Sequence, residues 1–110
     1  MKTPRKSNKA LDDPLEKVIE KKVCDYAKEK YGVLSRKYTS PQHRNVPDRL
    51  LLWPGGHTLF IEFKRRGRVP TPGQEREIKK LVDLGHKVLV IDEIEYGRTL
   101  IDAVARGFKA

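Results

Sequence analysis

The chain has 110 residues, with 24 Lys and Arg against 15 Asp and Glu, a formal net charge of +9 at pH 7, and 37% hydrophobic residues. That is enough for one domain with a single modest core, and its charge is of the sign that attracts polyanions, nucleic acid first among them. The lone Cys24 excludes an intramolecular disulfide and fits a reducing compartment, and no apolar run or signal-peptide pattern suggests a membrane span or export, so the expectation is a soluble intracellular protein.

Residues 1–13 are polar and basic (Lys2, Arg5, Lys6, Lys9) without periodicity, and read as a mobile N-terminal arm; 14–110 read as the folded domain. Asp13 as N-cap and Pro14 at the first helical position open a helix whose apolar stripe is Leu15, Val18, Ile19, Val23, Tyr26 and Ala27, closed by Gly32 in a left-handed cap. Cys24 falls within this helix and reads as a small core residue. Val33–Thr39 alternates as a strand, and the loop Ser40–Pro47 follows. Asp48–Trp53 and Thr58–Lys64 form a hairpin about the Pro54-Gly55-Gly56 turn, and Arg65, Arg66, Gly67 and Arg68 make a basic connection. A second helix spans about Gly73–Leu84 with Ile78, Leu81, Val82 and Leu84 as its buried stripe and Gly85 as its C-cap. Lys87–Ile91 is a short apolar strand, and a last helix, roughly Tyr96–Arg106, packs Leu100, Ile101, Val104 and Phe108. The order α-β-β-β-α-β-α gives an α/β fold, a small mixed sheet flanked by helices. The strand–helix–strand unit supplies a parallel pair and the hairpin antiparallel ones.

Three charged groups interrupt this apolar pattern. Residues two apart on a strand share a face, so Glu62 and Lys64 project together, and the hairpin carries Asp48 back beside them. An exposed turn aspartate and an edge-strand charge pair are the ordinary alternatives. Leu59, Phe60, Ile61 and Phe63, however, make the strand apolar on both faces, where a charged pair is costly without a partner or a metal. Two carboxylates with the Phe63 backbone carbonyl make a hard-oxygen set suited to Mg²⁺ or Mn²⁺, and Lys64 beside them suits phosphodiester chemistry. Glu16 and Glu20, one helical turn apart, are candidates for a further carboxylate. Glu20 is favoured because it borders the buried stripe.

Pro47-Asp48 followed by Glu62-Phe63-Lys64 resembles the PD-(D/E)xK nuclease pattern. More narrowly, Ile19-Glu20, Ser40-Pro41, Val46 to Leu50, Trp53 to Gly56, Phe60 to Lys64, Thr71 to Glu75 and Leu84 to Val88 resemble the VRR-NUC domain, over about Leu15 to Asp92. The resemblance implies a restriction-endonuclease-like core and a metal-dependent DNA nuclease, of the small stand-alone phage and bacterial type that acts as a homodimer on branched DNA. It implies that Asp48, Glu62 and Glu20 serve the metal, that Lys64 is catalytic, and that Gln74 faces the site to orient Lys64 or the phosphate. The Val-Arg-Arg arrangement behind the family's name is not found here, and Lys64-Arg65-Arg66 is a loose echo.

Lys37, Arg44 and Arg49 before the site, and Arg65, Arg66 and Arg68 after it, are placed to position phosphates. Without interleaved aromatics for stacking single strands, duplex or branched DNA is the expected partner. The alternatives are a non-catalytic DNA-binding module, or a nuclease of DNA ends or RNA.

Overall fold

In the computed structural model, which describes residues 14–109, the elements are α1 (Glu16–Tyr31), β1 (Leu34–Lys37), β2 (Arg49–Trp53), β3 (His57–Phe63), α2 (Pro72–Asp83), β4 (Val88–Ile91) and α3 (Ile94–Lys109). The expected order is the observed one. The sheet runs β1-β2-β3-β4, with β1–β2 and β2–β3 antiparallel and β3–β4 parallel. The basic arm and Asp13 lie outside the described residues.

Alternation assigns the two faces of this sheet. Leu51, Trp53, Leu59, Ile61, Phe63 and Ile91 point to one side and form a single cluster with Ile19, Val23, Cys24 and Ala27 of α1 and Ile101 and Ala105 of α3. Gly97 makes the close approach of α3 feasible, because a Cβ there would lie 2.7 Å from Val23 Cγ2 and 2.8 Å from Ile91 Cγ2. The opposite face carries Leu50, Leu52, Phe60, Glu62, Val88 and Val90. Phe60 meets Tyr38 and His86 there, each at a ring distance of 5.6 Å.

Several boundaries differ from expectation. α1 begins at Glu16 with an extended Leu15 at the N-cap and no side-chain cap, so Pro14 precedes the helix. Leu15 is 49% exposed and Val18 37%, because the core-facing stripe narrows to Ile19, Val23, Cys24 and Ala27. Helix α1 ends as expected, on Gly32 at φ 70° with its N–H donated to the Lys28 carbonyl. The C-cap of α2 is Leu84, so Gly85, at φ 99°, follows the cap, and no residue of α2 is buried: Val82 is 50% exposed and Leu84 76%. Periodicity marks an apolar stripe but supplies no surface to cover it, and α2 lies beside β4 at the sheet's edge. α3 starts earlier than expected because Glu93, a residue type absent from the usual N-cap set, accepts from the Tyr96 N–H at 2.8 Å.

Candidate active site

The hairpin register sets up the site. Arg49 pairs with Ile61 and Leu50 with Phe60, so extending the ladder by one residue sets Asp48 opposite Glu62. Directly opposed antiparallel residues share a face. Asp48, Glu62 and Lys64 therefore gather on one side, where β2 begins and β3 ends. The Phe63 N–H donates to Asp48 Oδ2 at 2.8 Å. In an extended residue N–H and C=O point the same way, so the Phe63 carbonyl also faces the Asp48 side. The Lys64 N–H donates to the Ile91 carbonyl at 2.9 Å, tying the end of β3 to β4.

Glu62 is 2% exposed, the one charged residue in the buried set among the described residues. Its Oε2 accepts from Gln74 Nε2 at 2.7 Å and lies 3.5 Å from Lys64 Nζ. Gln74 is itself fixed at both ends of its backbone turn. Its Oε1 accepts from the Thr71 N–H at 2.9 Å, and its own N–H donates to Thr71 Oγ1 at 3.2 Å, a reciprocal capping box that starts α2. Gln74 thus holds Glu62, where the family resemblance implies Lys64 or the phosphate as its partner. The Thr71-Pro72-Gly73-Gln74 capping pattern was the signal for its rigidity; its partner was set only by the fold.

The carboxylates oppose one another's ionisation. Burial first, then Asp48, push Glu62 from 4.5 up to about 7, against the pull of Lys64. Burial also raises Asp48, with the Phe63 N–H pulling it back down and Glu20 adding to the rise. Glu16 is raised by partial burial and then by Asp48. Both helix carboxylates therefore border the site, but with different roles. Glu20 is ion-paired to Arg49 Nε, and Arg49 Nη1 donates to Ser35 Oγ at 3.3 Å.

The expected phosphate-positioning residues divide into two kinds. Lys37, Arg44, Arg66 and Arg68 are exposed and Arg65 half-buried. Arg49 instead spends its guanidinium on Glu20, so it holds a carboxylate in place of projecting to solvent. The Arg65–Arg68 turn is closed by the Arg68 N–H on the Arg65 carbonyl at 2.9 Å, and pinned by the Gly67 N–H on Asp92 Oδ2 at 3.0 Å. Asp92 had no sequence signal, being 25 residues away in the chain.

A phage protein described as "Putative nuclease p44", from Acyrthosiphon pisum secondary endosymbiont phage 1, is 48% identical over 63 residues, spanning 57% of this chain and 68% of that one. A solved structure described as "VRR_NUC domain" superposes with a TM-score of 0.66 at 32% identity, covering 76% of this chain and 95% of its own. The chain belongs to the VRR-NUC family. A second VRR_NUC domain protein shares the fold at a TM-score of 0.66 and 18% identity, over 83% of this chain and 88% of that one. No family model matches the chain.

On this VRR-NUC scaffold, the donor set fits a hard divalent cation. A nearly fully buried carboxylate that other carboxylates push toward neutrality is relieved by a positive ion, and Asp48, Glu62 and the Phe63 carbonyl present oxygens from adjoining strand ends. Among the described residues no group of three or more His, Cys, Asp and Glu side chains stands ready to enclose a metal. Two carboxylates and a carbonyl would leave positions open for water or a further carboxylate, which suits Mg²⁺, an ion that keeps several waters.

Proposed function

We propose that this VRR-NUC protein is a metal-dependent endonuclease that hydrolyses phosphodiester bonds in structured duplex DNA, branched or junction-type, and works as a homodimer. The observation that carries the reading is the buried Glu62, bracketed by Asp48, Lys64 and Gln74 at one end of the sheet. A stability-driven core has no use for that arrangement, since burying a carboxylate beside another is costly.

Asp48, Glu62 and the Phe63 carbonyl would hold Mg²⁺ or Mn²⁺, with Glu20 or Glu16 of α1 contributing to the same site. When bound, such an ion acidifies water and offsets charge on the phosphoryl oxygens. Lys64 orients the attacking water and stabilises the charge that builds as the new P–O bond forms and the bond to the departing sugar oxygen breaks. Gln74 keeps Glu62 in a single orientation, and Arg49 does the same for Glu20. Lys37, Arg44, Arg65, Arg66 and Arg68 flank the site and position the backbone.

The dimer reading is supported by the sheet face opposite the main cluster. There Leu34 is 47% exposed, and Leu50 and Leu52 remain half-buried. These leucines offer apolar surface to a second copy, and a two-fold pair supplies two cutting centres for paired nicks. Among the described residues no helix is long and apolar enough to cross a membrane. With a phage relative, that agrees with action in the cytoplasm of a bacterial cell or infected host.

The test is cleavage of linear duplex, single strand, flap and four-way junction DNA, and of RNA, with Mg²⁺, Mn²⁺ or Ca²⁺, beside Glu62→Ala. Metal-dependent cuts in branched duplex that vanish in Glu62→Ala support the reading. Binding without cutting under every metal would make the chain a DNA-binding module, and preference for ends or RNA would replace the substrate. A monomer mass by light scattering would remove the dimer.

A further inference from the structure

One turn from the site, the loop before β2 lies against the side of α2. His43 donates its N–H to the Ser40 carbonyl at 2.9 Å, a turn that brings Asn45 onto the first turn of the helix. Gly73 permits this contact, since a Cβ there would lie 2.6 Å from Asn45 Nδ2. Loop and helix border an open cleft of about 200 Å³. Among its lining residues are three cations, Arg44, Arg76 and Lys80, and one carboxylate, Glu77. Gly73, Arg76 and Lys80 are spaced three and four apart, so they form one line on α2. Gln74, next to Gly73, turns the other way and holds Glu62. The cleft thus adjoins the site along α2 and draws its charge from two separate elements. Arg76, Lys80 and Arg44 are all exposed.

We infer that this cleft is a second phosphate seat, which takes the nucleic-acid backbone one or more nucleotides away from the cut bond, with Arg76 and Lys80 as positioning residues. The inference rests on the nuclease reading and extends it. A backbone held at two points, the cleft and the Lys64 site, enters in one direction and register, which contacts at the cut bond alone do not fix. Such contacts carry little sequence information, so the seat governs affinity and its salt dependence and leaves base choice untouched.

The experiment is fluorescence anisotropy of labelled junction and linear duplex DNA across a salt series, with Ca²⁺ present, using the full chain. Arg76→Ser/Lys80→Ser is expected to weaken binding about tenfold and to flatten the slope of log K against log salt by roughly 1–2. The control is Arg106→Ser/Lys109→Ser, which removes the same charge where Lys109 borders Trp53, Pro54 and Gly55, at the far end of the hairpin. It should leave the slope unchanged. Glu77→Gln, which removes the cleft's carboxylate, should tighten binding about twofold. Equal slopes and affinities for the two double variants would overturn the seat while leaving the nuclease reading intact. An unaltered chain that neither binds nor cuts would overturn both. Matching circular dichroism and Tm for all variants separates loss of contact from loss of fold.

Discussion

Asp102 and Glu62 are both carboxylates held by hydrogen bonds, yet their surroundings push them in opposite directions. Asp102, on α3, accepts from Tyr31 Oη at 2.5 Å, from Tyr26 Oη at 2.8 Å on each oxygen, and from Lys30 Nζ at 3.1 Å. Those donors, Tyr31 first, hold it down near 2. Glu62 has comparable donors in Gln74 and Lys64, but burial and Asp48 outweigh them and raise it to about 7. One carboxylate is content as an anion and staples α1 to α3. The other is penalised as an anion by burial and a neighbouring carboxylate, a penalty that a bound cation would relieve.

The largest effect should come from the cation-poor end. Asp48→Ala or Lys64→Ala is expected to lower cleavage by on the order of 10³-fold or more, with duplex binding within a few-fold by anisotropy. Cleavage that survives either change would dissolve the site. Gln74→Leu leaves Glu62 without its orienting donor and should weaken the apparent Mg²⁺ affinity about 10–100-fold, read from the metal dependence of the rate. The Asp102 network lies on the other side of the contrast, so Asp102→Asn should leave that metal dependence unchanged.

The two carboxylates also predict opposite pH trends in stability. Glu62 has a folded pKa above its ordinary 4.5, so the folded chain binds the extra proton. Without metal, stability is full below that ordinary value and is lost as pH rises through about 7. Glu62→Gln should therefore stabilise the metal-free protein at pH 8 by up to roughly 3 kcal/mol, with little difference at pH 4. Denaturant melts at the two pH values decide this, and added Mg²⁺ should narrow the gap at pH 8 by stabilising the native chain alone. Asp102 has a folded pKa below its ordinary 3.8, so its contribution is present above that value and is lost as pH falls toward 2. The smallest effect is thus a Tm for Asp102→Asn that lies below the native value at pH 7 and converges with it at low pH. A Tm difference that persists at pH 2 would show that packing, not charge, is what Asp102 supplies.

Much of this was legible along the chain. The element order, the hairpin about Pro54-Gly55-Gly56, the Gly32 cap and the burial of Cys24 all follow from spacing and turn chemistry, which act over a few residues. The convergence of Asp48, Glu62 and Lys64 was legible too, because a tight hairpin leaves little freedom in register. The exposure of Val82 and Leu84 was not, since a stripe reports what a helix offers and not what stands opposite it. Long-range partners were equally silent: Arg49 with Glu20, Gln74 with Glu62, Gly67 with Asp92, and the tyrosines with Asp102.

By itself, then, the sequence determined which local elements form and which charged residues they bring together, since periodicity, capping and turn preference are near-neighbour physics. Only the tertiary structure decided how each charge is compensated. It joined Arg49 to α1, turned Gln74 onto Glu62, and laid the loop carrying Arg44 and Asn45 against Gly73. Those contacts depend on distances across the fold, where burial and the company of other charges fix a side chain's ionisation, and no spacing along the chain encodes them.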